Sequence, residues 1–165
     1  MTVAMKRGLY RICAVLIGAG LALSACASVP SSPPGIESIT YRPSPPPFCG
    51  GRCETTTFTV GIDGVVRGET VYQPGRFGDW RRRRILRQVT PERVAAFRRA
   101  LEPYRPAADR SVQQDSCQAY WTDQDAVSIE WSKGDERVTL FVDLGCQDDL
   151  AMNDVLRQAP GALGL

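Results

Sequence analysis

The residues best suited to covalent chemistry are four cysteines: Cys49, Cys53, Cys117 and Cys146. In an exported domain an even number of cysteines predicts disulfides, and four cysteines allow three connectivities. We favour bridges from Cys49 to Cys53, which enclose two glycines, and from Cys117 to Cys146, which flank a predicted hairpin. The alternatives are a thioredoxin-like redox pair or a four-thiolate zinc site, although both usually use Cys-x-x-Cys and the first pair here has one residue more.

The sequence contains no histidine, which excludes Ser-His-Asp and Cys-His catalysis and histidine-bound metals. Carboxylates form two small clusters, Asp123 with Asp125 and Asp148 with Asp149. Paired carboxylates can hydrolyse glycosides or bind calcium, but neither cluster lies in an EF-hand loop, and positions at loop ends or helix caps explain both. We expect no catalytic residue, no metal site and no cofactor.

Arginine carries most of the positive charge and is concentrated in one part of the chain. Residues 76–110, the basic segment, hold eleven arginines and four acidic residues, whereas residues 111–165, the acidic segment, hold ten acidic and three basic residues. A patch for an anionic lipid headgroup, a glycan or an envelope protein would use these residues: Arg52, Arg76, Trp80, Arg81, Arg82, Arg83 and Arg84. The alternative, which we favour, is that the basic and acidic segments complement each other within the molecule.

The first 25 residues have the features of a secretory signal. Lys6, Arg7 and Arg11 form a basic start, and residues 12–23 are apolar or small and carry no charge. That run is shorter than the roughly 20 apolar residues that a membrane-spanning helix needs. Residues 1–25 therefore predict a signal peptide that is removed from the mature protein.

Residues 23–26, Leu-Ser-Ala-Cys, resemble the lipobox of bacterial lipoproteins. The resemblance implies cleavage before Cys26, a diacylglyceryl group on its sulfur and an acylated amino terminus, for example with palmitate. More than one acyl chain makes a stable membrane anchor. Ala27, in the place where Asp retains such proteins, implies the outer membrane, facing the periplasm. Residues 26–35 are rich in Ser and Pro and predict an extended tether.

The next part of the chain, residues 36–165, predicts a single domain. Alternating apolar residues predict a short first strand over residues 36–42 and two hairpins, one centred on Asp63 and Gly64 and one on residues 133–135. In the first hairpin, a three-residue loop with Gly64 in the left-handed region places Val60 opposite Val66 and Phe58 opposite Gly68, which keeps apolar residues together.

Two helices complete the predicted domain. Thr90 as N-cap and Pro91 at the first helical position begin one helix, which ends before Pro103. The other spans about residues 149–158 and ends before Pro160. Residues 81–89 fit either a strand with Ile85 buried or an approach to the first helix. These elements predict an α+β fold: a small antiparallel sheet built from two hairpins plus a short first strand, with two helices packed on one face.

Residues 36–69 resemble the start of a small uncharacterised domain of secreted bacterial proteins, whose pattern is Cys-Phe-Gly-x-Cys-Pro-x-Tyr followed by a strand and Asp-Gly. The matching residues are Cys49, Gly51, Cys53, Asp63 and Gly64. This sequence departs from the pattern at three positions, which hold Gly50, Glu54 and Thr56. The resemblance implies a domain of unknown function and transfers no catalytic residue.

These observations predict a lipid-anchored periplasmic or cell-envelope protein that acts as a non-catalytic binding module. Its expected partners are the membrane, through the anchor, and an envelope protein, glycan or anionic lipid. Nucleic acid is not expected, because of the compartment and because the chain from Cys26 onward holds 17 basic and 18 acidic residues. The alternatives are a thiol-redox protein using Cys49 and Cys53, and a histidine-free hydrolase using carboxylates.

Overall fold

The computed structural model describes residues 37–44, 53–74 and 79–165. The strands are β1 (Glu37–Ser44), β2 (Cys53–Gly61), β3 (Val65–Gln73), β4 (Arg81–Gln88), β5 (Arg110–Val112), β6 (Ala126–Lys133) and β7 (Glu136–Asp143). The helices are α1 (Pro91–Leu101), between β4 and β5, and α2 (Leu150–Ala162), after β7; short 3-10 turns lie at Glu102–Tyr104 and Gln114–Ser116.

The seven strands form one sheet in the order β4-β3-β2-β1-β6-β7-β5. All neighbouring strands are antiparallel except β5, which is parallel to β7. The predicted fold, a small antiparallel sheet from two hairpins and a first strand with two helices packed on one face, is therefore wrong. Strands dominate the domain, and its sheet is larger and mixed.

The two strands missing from the predicted sheet, β4 and β5, both lie at its edges and lack the usual sequence signal of a strand. Seven of the eight residues of β4 are exposed, and Ile85 is half-buried, so apolar and polar residues do not alternate. The other strand, β5, has three residues, which is too short for any period to show. Only Ile85 of β4 and Val112 of β5 pack against the core, and a single apolar residue in a strand gives no alternation that the sequence could show.

The register of the first hairpin is confirmed. Val60 pairs with Val66 and Phe58 with Gly68, and Gly64 has a positive φ of 76°. A side chain at position 68 is excluded, because its Cβ would lie 2.2 Å from the carbonyl oxygen of Thr57 and 2.8 Å from the Cβ of Phe58. Glycine there lets the aromatic ring of the opposing residue lie close to the backbone of β3.

The hydrophobic core is centred on β1, which pairs with β2 on one side and β6 on the other. Tyr41 stacks on Phe58, with ring centroids 5.3 Å apart, and Phe58 contacts Phe97 of α1 at 5.8 Å. Trp131 of β6 and Leu156 of α2 are also fully buried in this cluster. The core therefore joins both predicted hairpins to both helices through the central strand, and each such side chain contributes about 1.5–3 kcal/mol by burial.

The helix α2 continues past the predicted end at Gln158, and Pro160 lies inside its last turn. Proline has no N–H to donate to the carbonyl oxygen four residues earlier, which is that of Leu156. The hydroxyl of Tyr41 donates to this oxygen instead, at 2.8 Å. Leu163, just after the helix, is fully buried and anchors its end in the core. A hydrogen bond from β1 therefore compensates for the proline.

The residues on the other face of the central strands are polar. Ser38 of β1 hydrogen-bonds to Ser132 of β6 at 3.0 Å, and Thr40 hydrogen-bonds to Thr59 of β2 at 2.9 Å. We call this the hydroxyl face of the sheet. Its inner residues satisfy one another, since Ser38 and Thr40 are buried although they are polar. Among the residues described, none of the helices has the length and hydrophobicity needed to cross a membrane.

A candidate binding surface on the outer edge of strand β4

The strand β4 forms one edge of the sheet and pairs with β3 along its whole length, from Arg81 opposite Tyr72 to Gln88 opposite Val65. Its other side faces away from β3, and no strand among the described residues pairs with it. We call this side the β4 edge. It is eight residues long, whereas the edge strand at the opposite end of the sheet has three.

The direction of the β4 backbone groups follows from one hydrogen bond at the end of the strand. The N–H of Val89 donates to the carbonyl oxygen of Gly64 at 2.9 Å, so Val89 points its backbone groups towards β3. In an antiparallel pair this direction alternates from residue to residue. The backbone N–H and C=O groups that point outward from the β4 edge therefore belong to these residues: Arg82, Arg84, Leu86 and Gln88.

The arginine side chains of β4 alternate between the two faces of the sheet. Arg82 lies on the hydroxyl face and pairs with Glu69 at 3.1 Å. Arg83 lies on the opposite face, which carries the hydrophobic core. It pairs with Glu54 at 3.3 Å, and its guanidinium lies 5.9 Å from the ring centre of Tyr72. The structure thus places four of the seven predicted patch residues, Arg81 to Arg84, on one strand, but it divides them between two faces.

Two of the four arginines, Arg81 and Arg84, have no ion pair with any residue that the structure describes. Arg82 and Arg83 have one each, and both pairs are largely exposed. Exposed pairs contribute about 0–1 kcal/mol and leave the guanidinium groups accessible. The strand therefore presents positive charge on both faces of the sheet edge.

The predicted pairing of the basic segment with the acidic segment is not found among the described residues, where no ion pair joins the two. Ion pairs of the basic segment instead join these arginines to glutamates of β1, β2 and β3: Arg82 to Glu69, Arg83 to Glu54, and both Arg98 and Arg105 to Glu37. The one described ion pair of the acidic segment is that of Glu130 with Arg42. The strand order explains this, because β3, β2 and β1 separate β4 from β6 and β7.

The remaining predicted patch residues fall into two groups. Trp80 lies just before β4 and is 54% exposed. Arg52 and Arg76 lie outside the described residues, as do the predicted lipid-attachment residue Cys26 and the predicted tether, residues 26–35.

The predicted disulfide between Cys117 and Cys146 is confirmed, with their Cα atoms 5.6 Å apart. It joins the chain leading into β6 to the end of β7. Hydrogen bonds reinforce this junction: the N–H of Trp121 donates to the carbonyl oxygen of Gly145 at 2.8 Å. Cys53 is also disulfide-bonded and is buried, while its predicted partner, Cys49, lies outside the described residues.

Three of the four clustered aspartates have clear structural roles or neighbours. Asp148 accepts hydrogen bonds from the N–H groups of Gln118 and Ala119, at 3.0 and 3.2 Å. Asp149 is the N-cap of α2 and accepts from the N–H of Met152 at 2.8 Å. Asp125 lines a groove at the same end of the sheet. In the part of the chain that the structure describes, no three His, Cys, Asp or Glu side chains form a metal-binding group.

No motif in the sequence marks this groove, which has a volume of about 390 Å³ and is lined by residues of β1, β2, β6 and α2. Burial, reinforced by the charge of Asp125, raises the pKa of Tyr41 at its wall to about 12. Two carboxylates, those of Glu54 and Asp125, line this groove. Glu54 is more than half exposed and pairs with Arg83, whereas a glycosidase general acid lies in a desolvated pocket.

Comparison of the chain with known protein families, with curated proteins and with solved structures gives no match. Two resemblances therefore stay predictions from the sequence: that of residues 23–26 to a lipobox and that of residues 36–69 to a secreted bacterial domain.

Proposed function

We propose that this chain is a lipid-anchored protein of the bacterial cell envelope, and that its folded domain is a non-catalytic module that binds an anionic partner. The basic start of the chain, the uncharged run that follows it and Cys26 support the anchored location, on the periplasmic side of the outer membrane. The disulfide between Cys117 and Cys146 supports an oxidising compartment.

One observation carries the binding function: four consecutive arginines lie on an exposed edge strand, and only Arg82 and Arg83 among them have a described ion pair. Arg81 and Arg84 lack described ion pairs, and the acidic segment does not neutralise the strand. Guanidinium groups bind carboxylates and phosphates with two parallel hydrogen bonds, so a row of them favours a partner with several such groups.

The anchor is tested by the intact mass of the protein extracted from membranes of the native host. We expect a mass that begins at Cys26 and includes the acyl chains, and we expect the Cys26→Ser variant to be unacylated and released from the membrane. An unacylated wild-type protein would contradict the proposed location.

The binding function is tested by mixing the protein with a fluorescein-labelled decaglutamate peptide and measuring the fluorescence anisotropy of the peptide. Removing Arg81 and Arg84 together, as a double alanine variant, should weaken binding about tenfold, which corresponds to about 1.4 kcal/mol. The matched control replaces Arg99 and Arg110, which are exposed and lie away from β4. Equal weakening by both double variants would show a general effect of charge and would contradict a specific role of β4 in binding.

A further inference from the structure

We infer that the β4 edge binds its partner by strand addition, in which an extended acidic segment of another protein pairs with the backbone of β4 and becomes an eighth strand. This inference rests on the proposed function, because it specifies how the arginine strand holds an anionic partner. An edge strand with unpaired N–H and C=O groups is a template for such pairing.

The backbone of β4 meets the requirements for strand addition. It is paired with β3 at all eight positions, so its extended conformation is fixed before a partner arrives. Arg82, Arg84, Leu86 and Gln88 point their N–H and C=O groups outward, which offers up to eight main-chain hydrogen bonds. An added strand would satisfy these groups without moving the existing sheet.

The side chains of β4 specify the chemistry of the added strand. Residues of a neighbouring strand lie about 4.5–5.5 Å away on the same face, and opposite charges in such pairs are stabilising. Arg82 and Arg84 lie on the hydroxyl face, and Arg81 and Arg83 lie on the other face, so acidic residues on either face of the added strand meet two arginines. Leu86, which is 74% exposed, provides an apolar contact further along the strand.

Charge decides between the occupants that an open edge could accept. A second copy of this chain would bring another arginine-rich β4 against the first, and like charges in cross-strand pairs are destabilising. Charged residues commonly protect edges against such self-association. A lipid headgroup or a glycan would use the guanidinium groups but leave the outward backbone groups unpaired. An acidic extended peptide satisfies both the charges and the backbone.

The test uses a substitution that changes the backbone and leaves every arginine in place. In Leu86→Pro the outward N–H is removed, while the hydrogen bonds of β4 to β3 come from other residues and are retained. Leu86→Ala is the matched control, because it removes the same side chain and keeps the N–H. The probe is a fluorescein-labelled ten-residue peptide of alternating Glu and Val, measured by anisotropy.

Strand addition predicts that Leu86→Pro weakens binding of this peptide at least tenfold, whereas Leu86→Ala changes it by less than threefold. A second probe tests strand addition on the wild-type protein, so the result does not depend on whether the proline variant folds. It is the same peptide with its six central amide nitrogens methylated, which keeps the charge and prevents backbone pairing. The wild-type protein should bind the methylated peptide at least tenfold more weakly than the unmethylated one.

The outcomes separate the two proposals. If the methylated peptide and the Leu86→Pro variant bind normally while the Arg81 and Arg84 double variant binds weakly, the arginines hold anions without strand addition, and this inference fails alone. If the wild-type protein binds neither the alternating peptide nor decaglutamate at low salt, both this inference and the anionic-partner function fail.

Discussion

The two halves of the sheet on either side of β1 differ in how they are held. The half with β6, β7 and β5 has a disulfide at its end, a capped helix after it and a three-residue edge strand. The half with β2, β3 and β4 ends in an eight-residue edge strand that is exposed on both faces. The second half also contributes buried residues and the disulfide-bonded Cys53, but its exposed arginines lie on β4, at its outer end.

Because of this difference, substitutions on the surface of β4 should leave the fold intact. Substitutions near the disulfide remove buried or cross-linked contacts, whereas substitutions on β4 remove exposed groups whose ion pairs contribute little. The comparison predicts large losses of stability near the disulfide and small ones on β4, and the following variants test it in order of expected effect.

Removing the disulfide should have the largest effect. The bridge spans 29 residues, and replacing both Cys117 and Cys146 by Ser should lower the free energy of unfolding by about 3 kcal/mol through the entropy of the unfolded chain. Urea unfolding of the wild-type and double-variant domains measures this. A loss below about 1 kcal/mol would mean that the hydrogen bonds around the bridge are sufficient by themselves.

Asn153 tests the same half without touching the disulfide. Its buried amide group donates to the carbonyl oxygens of Cys146 at 2.7 Å and Leu144 at 3.3 Å, which fixes the turn after β7 to α2. Asn153→Ala should cost about 2 kcal/mol, because two buried acceptors lose a partner. The exposed neighbour Asp154→Ala is the control for urea unfolding and should change stability by less than about 0.5 kcal/mol.

Tyr41 tests the joint between the halves, since it lies on β1 and contacts α2. Tyr41→Phe should cost about 1 kcal/mol, because the carbonyl oxygen of Leu156 then lacks both a proline N–H and a phenol partner. A variant as stable as the wild type would show that the proline needs no such compensation.

The same residue gives a pH dependence. Burial raises the pKa of Tyr41 to about 12, against 10.0 for a free phenol. Because the folded state holds its proton more tightly, this contribution is complete below pH 10 and is lost as the pH rises from 10 to 12. Unfolding of the wild type should therefore become easier over this range relative to Tyr41→Phe, as measured by urea denaturation at each pH.

The smallest effect on stability is expected on β4. Replacing Arg81 and Arg84 by Ala should change the free energy of unfolding by less than about 0.5 kcal/mol, since both side chains are exposed and lack described ion pairs. The same variant should bind decaglutamate about tenfold more weakly than the wild type. A loss of stability as large as that of Asn153→Ala would break the distinction between the two halves.

Local features of this fold were predictable and non-local ones were not. The loop at Gly64 and the N-cap position at Thr90 depend on a few adjacent residues, and both were predicted correctly. A strand at β4 was one of two interpretations of residues 81–89, because its exposed arginines show no alternation of apolar and polar residues. The charge pairing failed because it depends on strand order, which places Glu54 and Glu69 beside the arginines.

The candidate site shows the same limit. The sequence identified the arginines of β4 as a patch, but the division between two faces and the outward backbone groups follow only from the pairing with β3. The groove at Tyr41 was missed because its walls come from four separate elements, and no local motif marks it.

The central position of β1 has a consequence for how the chain acquires its shape. One side of β1 pairs with β2, nearby in sequence, but the other pairs with β6, as in the contact of Ser38 with Ser132 across 94 positions. During synthesis from the N-terminus, the first strands can assemble while β1 still has one open side. Such distant pairing slows folding and exposes a second, transient edge. We expect newly made chains to be most prone to association before β6 arrives.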